Sequence, residues 1–365
     1  MREVLLTALC RPKQWKTIST RDLKSKGYPV YGANGKIGFY DIYTHENPTL
    51  LITCRGATCG TINISEPKSY VNGNAMALDN LSLDVDLYFL KHYLEYRKLD
   101  DVISGSAQPQ ITGQGLANIK IPLPPLETQQ KIASILEAAD TLRQKDKALL
   151  AKYDELTLAL FMDMFGDPVN NQKLFKTRSF GSIFKSIRYG TSTPPIYSNN
   201  GIPFIRATNV KKGTVALKGM VYISEEEAGK IEKCRIKVGD LIVVRSGANT
   251  GDCCRIPMEY DGCYGGFDLI IEIEEPYSTF YNFLLNSESG KKILDPLTRR
   301  AGQPHLNSKQ MTDLELIFPD PSLQTQFAEH VASIDQQKAL AQASIEKSEE
   351  LFNSLLQKAF KGELV

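Results

Sequence analysis

Arginines, amides and hydroxyls gather in this sequence where turns are signalled. Arg188, Tyr189, Thr191 and Ser192 form one set, Arg206, Asn209 and Lys211 a second, Arg245, Ser246 and Asn249 a third. Arg299, Arg300, Gln303 and His305 make a fourth. An earlier series runs Tyr31, Asn34 and Lys36, then Arg55 and Thr58, then Asn72 and Asn74, then Gln108 and Gln110. Cationic side chains neutralise phosphates and release counterions, while Arg, Asn and Gln forks match the edges of bases. The chemistry implied is recognition of a nucleic acid. Taken singly, each residue is also a surface or turn former, and Asn34, Asn72 and Asn74 beside glycine are turn chemistry first.

Charge sharpens that reading. The formal net charge is only +1, yet residues 168–212 hold eight basic side chains and no acidic one. Phe175, Phe180, Tyr189, Tyr197 and Phe204 are interleaved with them. Residues 1–60 hold nine basic and four acidic side chains, whereas 127–167 hold five and eight. Basic blocks therefore open two stretches of the chain, and acidic stretches close them.

Catalytic constellations are missing. Gly32-Ala33-Asn34-Gly35-Lys36 has the wrong spacing for a phosphate-binding loop. No Asn-Pro-Pro-aromatic run of an adenine methyltransferase occurs, and His45, His92, His305 and His330 lie near no nucleophile motif. Among the seven cysteines, Cys54 and Cys59 are loosely spaced and Cys253 and Cys254 adjacent, unlike paired zinc-ligand spacing. Reduced core thiols are expected, with no disulfide frame and no metal site.

The elements that would carry these residues are written twice. Gln108-Pro109 recurs 195 residues on as Gln303-Pro304, and the copies then stay in step. Leu116, Ile119 and Ile121 fall on Met311, Leu314 and Leu316; Gln129 falls on Gln324, Asp140 on Asp335, and Phe165 on Phe360. Gly56-Ala57-Thr58-Cys59-Gly60 and Gly247-Ala248-Asn249-Thr250-Gly251 lie 191 apart, so the earlier segments have drifted. Such a period predicts one object with two similar ends. Each copy reads as a strand-rich part followed by one long helix. Strands are expected at 49–53, 61–64 and 118–121, and at 241–244, 269–271 and 314–317; helices are expected near 86–96 and 278–294.

From Leu126 to Phe165 there is no Gly or Pro, and apolar residues recur three and four apart: Ile132, Ile135, Ala139, Leu142, Leu149, Tyr153, Leu156, Leu160. Asp146 interrupts that seam as a polar residue able to fix register. A second helix is expected from Asp320-Pro321 to near Gly362. At about 40 residues each helix would be on the order of 60 Å long. Neither buries its stripe alone, so the two are expected to pair as a coiled coil, a rod joining two domains in an α+β protein. At 365 residues, two to three domains are expected. The chain shows no apolar run of membrane-spanning length and no signal-peptide pattern, which predicts a cytoplasmic protein.

At this point the sequence resembles the specificity subunit of type I restriction–modification enzymes, over essentially its whole length. Tyr28-Pro29-Val30-Tyr31-Gly32-Ala33-Asn34-Gly35 and Ser186-Ile187-Arg188-Tyr189-Gly190-Thr191-Ser192 look like the openings of target-recognition domains. Ile121-Pro122-Leu123-Pro124-Pro125-Leu126-Glu127-Thr128-Gln129 followed by Ile132-Ala133 resembles the start of the first conserved helix. The second copy departs from it with Phe318-Pro319-Asp320-Pro321. The resemblance implies target-recognition domains at 1–121 and 168–317 and antiparallel spacer helices at 122–167 and 318–365. It implies a non-catalytic protein that reads a bipartite site on double-stranded DNA. It also implies two methyltransferase subunits binding S-adenosylmethionine and two motor-nuclease subunits using ATP and Mg²⁺, with no cofactor in this chain. Two other readings stand beside it: a protein-interaction scaffold with two heads on a rod, and the specificity part of a fused restriction enzyme. The acid-free basic block speaks against the first, and the missing catalytic segment against the second.

Overall fold

The computed structural model describes residues 2–33, 35–105, 108–211, 213–298 and 304–364. The candidates Asn34, Arg300 and Gln303 lie outside them, as do Lys212 and Arg299. The chain divides into two compact units, Met1–Leu149 with Ala341–Val365, and Leu150–Leu340.

In the first unit a four-stranded antiparallel sheet has the order Arg11–Gln14, Ala75–Asp79, Leu50–Thr53, Ile62–Ile64. Its centre, Leu50-Leu51-Ile52-Thr53, is buried at every position, as a continuous apolar run predicts for a strand covered on both faces. Leu50 and Ile52 face a core shared with the helix Leu87–Arg97, and Leu51 faces Tyr31, Val71, Ala75 and Ala77. A second sheet orders Gly35–Tyr40, Tyr28–Gly32 and Tyr70–Val71, the last pair parallel with Tyr31 opposite Val71.

The second unit repeats this plan. Ser186–Tyr189, Leu269–Glu272, Leu241–Val243 and Cys253–Arg255 form the four-stranded antiparallel sheet. Tyr197–Ser198, Val221–Ile223, Ile202–Ile205 and Tyr264–Gly265 form the other, again ending in a parallel pair, with Ile205 opposite Gly265. Each unit also pairs its opening strand with the one before its long helix, Glu3–Leu5 with Lys120–Pro122 and Lys176–Ser179 with Glu315–Phe318. All six expected strands form, within one or two residues at each end. The single helix expected at 278–294 is instead two, Tyr277–Asn286 and Glu288–Thr298. Ser287 breaks it: its Oγ accepts from the Gly290 amide at 3.0 Å, as an N-cap does.

The long helices run Leu126–Phe165 and Pro321–Lys361. In the first unit Arg143 and Lys147 pair with Glu349 at 3.1 and 2.5 Å, and Ser344 donates to Asp146 at 3.1 Å. In the second unit Lys338 pairs with Asp154 at 2.6 Å. Residue numbers rise along one helix as they fall along the other, so the helices are antiparallel within each unit. Their packing crosses the repeat. Ile132, Ala133 and Leu136 from the start of the first helix enter the first core together with Phe352 and Ala359 from the end of the second. Phe161 and Phe165, ending the first helix, enter the second core beside Phe327, near the start of the other. Ring pairs match across the copies, Phe360 with Phe89 at 5.5 Å and Phe165 with Phe280 at 4.7 Å.

The expected seam is corrected in part. Ile132 and Ala139 are buried, but Ile135, Leu142 and Leu149 of the first unit and Leu156 of the second are exposed by 37–49%. Leu136, Thr157 and Phe161 are buried instead. Two helices alone cover only one side of each helix, and the heptad run on another side is left open.

Candidate nucleic-acid interface

In both units the strand at the centre of the main sheet runs into a glycine-bounded loop. Cys59 N donates to Gly56 O at 3.0 Å and Gly60 N to Thr53 O at 2.8 Å. Thr250 N donates to Gly247 O at 3.1 Å and Gly251 N to Val244 O at 2.8 Å. Gly56 and Gly247 have φ of +91° and +95°, and a Cβ on either would meet nothing within 4 Å. These two glycines are needed for backbone conformation, not for close packing.

A backbone bridge joins each loop to the segment carrying the repeated Gln-Pro, Arg55 with Gln110 and Ser246 with His305. The Pro109 carbonyl accepts from Gly56 N at 3.1 Å, so the first copy of that motif anchors the loop. Gly190 has a different constraint. A Cβ there would lie 1.5 Å from Gly266 O, so only glycine lets the Ser186–Tyr189 strand pass so close to the Gly265-Gly266 turn.

The loops of the second unit surround a cleft of about 360 Å³ lined by Thr191, Ser192, Tyr197, Arg206, Ser246, Phe267 and Asp268. Four sequence candidates therefore meet there. Beside it the Arg245 guanidinium lies between two rings, 4.4 Å from Tyr189 and 4.3 Å from Phe267. Its Nη2 donates to His305 Nε2 at 3.2 Å, which selects the neutral tautomer with the proton on Nδ1. Tyr189 is held in turn, its hydroxyl 3.0 Å from Ser308 Oγ and accepting from the Ser308 amide. Burial pushes the Asp268 carboxyl up to about 6, against the opposing pull of the Arg245 amide and charge.

Several candidates are bound within the fold. Asn209 is fully buried, accepting from the Arg206 amide and donating to the carbonyls of Ala216 and Lys218. Asn72 is buried and bonds both backbone groups of Ile18. Both shape turns, and neither side chain reaches solvent. Arg188 donates to the carbonyls of Lys233 and Arg235 and lies 3.6 Å from Asp240, so it ties strand to loop. Tyr31 is buried with its hydroxyl on Glu66, and Lys36 pairs with the same carboxylate at 3.1 Å. Thr191 closes its own turn with Thr193, and Arg206 donates to Gly219 O at 2.6 Å. Exposed surface remains at Arg55, Thr58, Asn74, Ser192 and Lys211, and half-exposed surface at Ser246, Asn249 and His305.

The structure also re-pairs the copies. Tyr28–Gly32 corresponds to Ile202–Ile205, since both pair in parallel with the short strand before the main sheet. Ser186–Tyr189 corresponds to Arg11–Gln14. Tyr31 thus answers Ile205, not Tyr189. Sequence reasoning missed Phe267, exposed by 46%, and Asp268. The adjacent Gly265-Gly266 was the one available signal of a close backbone approach there.

Six of the seven cysteines are buried and Cys59 is half-buried; all are free. Burial pushes the Cys10 and Cys263 thiols up to about 12, so they stay protonated core groups. Among the described residues no cluster of His, Cys, Asp and Glu could hold a metal ion, and no helix is long and apolar enough to cross a membrane.

A duplicated unit with a polar, partly cationic loop face is a recognition architecture, and comparison with known proteins gives its family. The family described as type I restriction modification DNA specificity domain matches residues 3–152 and 172–350, and the chain belongs to it. Among individual relatives, the type I restriction enzyme MjaVIII specificity subunit of Methanocaldococcus jannaschii is 24% identical over 348 residues, spanning 88% of this chain and 80% of that protein. The EcoKI specificity subunit of Escherichia coli K12 is 23% identical over 314 residues, 76% of this chain and 64% of that one. In fold, the chain is similar to the S subunit of a type I restriction–modification system from M. genitalium. That likeness has a TM-score of 0.68 at 16% identity and covers 98% of this chain and 95% of the other. The chain is a non-catalytic DNA-specificity subunit.

Proposed function

We propose that this subunit reads a bipartite site on double-stranded DNA, one half through the loops of residues 1–121 and the other through those of 168–317. The observation that carries the reading is the pairing of one backbone plan with two different sets of loop side chains. Two readers of unlike sequence need that combination, and a scaffold with equivalent heads does not. The helices 122–167 and 318–365 serve as the spacer. Partner subunits supply the chemistry: two methyltransferase subunits with S-adenosylmethionine modify adenines, and two motor-nuclease subunits with ATP and Mg²⁺ cleave. The exposed heptad-spaced residues Ile135, Leu142 and Leu149 offer those methyltransferase subunits an apolar stripe.

The test is selection from randomised duplexes by the subunit co-expressed with its methyltransferase. Two short half-sites separated by a constant, unread gap are expected. Recovery of one contiguous motif, or of none, overturns the proposal. Retention should also fall steeply with salt, because phosphate contacts release counterions.

A further inference from the structure

Hydrogen-bond register aligns the reading loops of the two units residue by residue. Ile111 N donates to Cys54 O, and Leu306 N to Arg245 O. With the bridges Arg55–Gln110 and Ser246–His305, this makes Arg55 answer Ser246 and Gln110 answer His305. The glycine-bounded loops then make Thr58 answer Asn249. Across the main sheet, Ile52 opposes Met76 where Val243 opposes Leu269, so Asn74 answers Phe267. The backbone plan is kept at these four positions, and the chemistry is exchanged at every one.

Arg55 is the sharpest difference. It is exposed, and among the described residues its guanidinium makes no hydrogen bond or ion pair, whereas Arg188, Arg206 and Arg245 are all bound within the fold. It stands at the root of the glycine-bounded loop, where a Cβ on Gly56 would meet open space. It lies opposite the exposed Gln110 in a backbone bridge and next to Cys54, whose amide donates to the carbonyl of the exposed Asn74. A free guanidinium keeps its planar fork of donors, which matches guanine O6 and N7 in the major groove. A serine hydroxyl has no such fork. Resting on the reading of each unit as the reader of one half-site, we propose that Arg55 is a specificity residue that reads a guanine in the half-site bound by the first unit. The corresponding position of the other half-site, faced by Ser246, carries no such requirement.

The experiment is selection from randomised duplexes by the full chain with its methyltransferase subunit, comparing wild type, Arg55→Ala and Arg55→Lys. In both variants one guanine position of one half-site should relax by roughly ten- to a hundredfold in discrimination. The other half-site should be unchanged, which shows within the same experiment that the variant is folded and assembled. Lysine keeps the charge without the fork, so it should relax that position too. If both half-sites keep their sequences in both variants, the assignment is wrong. It is equally wrong if binding weakens uniformly on all sequences, the behaviour of a phosphate contact. A wild-type complex that selects no bipartite site overturns the half-site reading first, and Arg55 with it.

Discussion

At the scale of single residues, the two buried glutamines show how one repeated position can carry unequal weight. Gln129 donates to Asp84 O and Pro124 O at 2.9 and 2.8 Å and accepts from the Asp86 amide at 2.9 Å. Its counterpart Gln324 donates to Pro319 O at 2.8 Å, and its Oε1 is buried without a partner among the described residues. Gln129→Ala strands three backbone groups and should destabilise the first unit by about 3 kcal/mol, whereas Gln324→Ala should cost the second about 1 kcal/mol. Urea melts followed by hydrogen exchange in each unit measure this, and equal losses would refute it. The pair was legible in the sequence because a Pro-x(4)-Gln spacing recurs at the 195-residue offset. The candidate reading residues were legible only as types. Asn72 and Arg55 are both polar residues beside glycine, and only the backbone shows that Ile18 binds the side chain of the first while no described residue bonds the guanidinium of the second.

Between elements, the same junction is built from different forces in the two units. In the first, His92 is fully buried on the helix Leu87–Arg97, with Nε2 on Glu137 at 2.6 Å and Nδ1 on Glu95 at 3.2 Å; Lys91 also reaches Glu137. In the second, Phe283 packs on Phe161 and Phe327 at 4.8 and 5.7 Å. Burial disfavours charge on His92, but the bonds to Glu137 and Glu95 outweigh it and raise its pKa above the usual 6.5. The bond from His92, against burial and with help from Lys91, holds Glu137 at about 2. A raised His contributes stability below its unfolded value and loses it as pH climbs through the folded one. A depressed Glu contributes above its unfolded value, near 4.5, and loses it as pH falls towards 2. Exchange protection of the Leu87–Arg97 amides should therefore peak between about pH 4.5 and 6.5 and fall on both sides, unlike that of Tyr277–Asn286. His92→Phe should flatten the alkaline limb, and matching profiles at both helices would contradict the account. The exposed stripe makes a separate prediction. Leu142→Asp with Leu149→Asp should abolish co-purification with the methyltransferase while leaving the thermal midpoint within a few degrees. Full retention of the partner would show that it docks elsewhere. Periodicity made the long helices legible to within a residue or two at their ends. It misassigned part of the buried face, because a heptad run does not say which of several partners covers it.

For the whole chain, the crossed packing of the long helices decides what may vary. Residues 126–149 belong to the first unit and 150–165 to the second, while the other helix divides at 340 and 341. Each helix therefore has its two ends fixed in different cores, by Ile132 and Phe165 in the first and by Phe327 and Phe360 in the second. A change of length in one helix must be met by the same change in the other, which is why the 195-residue offset persists through both while the loops have drifted. One ion pair in each unit flanks residues 147–153 and 339–345 in sequence, Arg143–Glu349 in the first and Asp154–Lys338 in the second. Deleting residues 147–153 together with 339–345 keeps both pairs and shortens each helix by about 10 Å. Loss of one heptad rotates the remaining face by only about 20°, so the buried side chains keep their sides. The doubly shortened subunit, assembled with its methyltransferase, should select the same two half-sites across a smaller gap. Either deletion alone sets the two helices out of step and should abolish assembly or bipartite selection. If the double deletion leaves the gap unchanged while both half-sites are still read, the helices do not set the spacing.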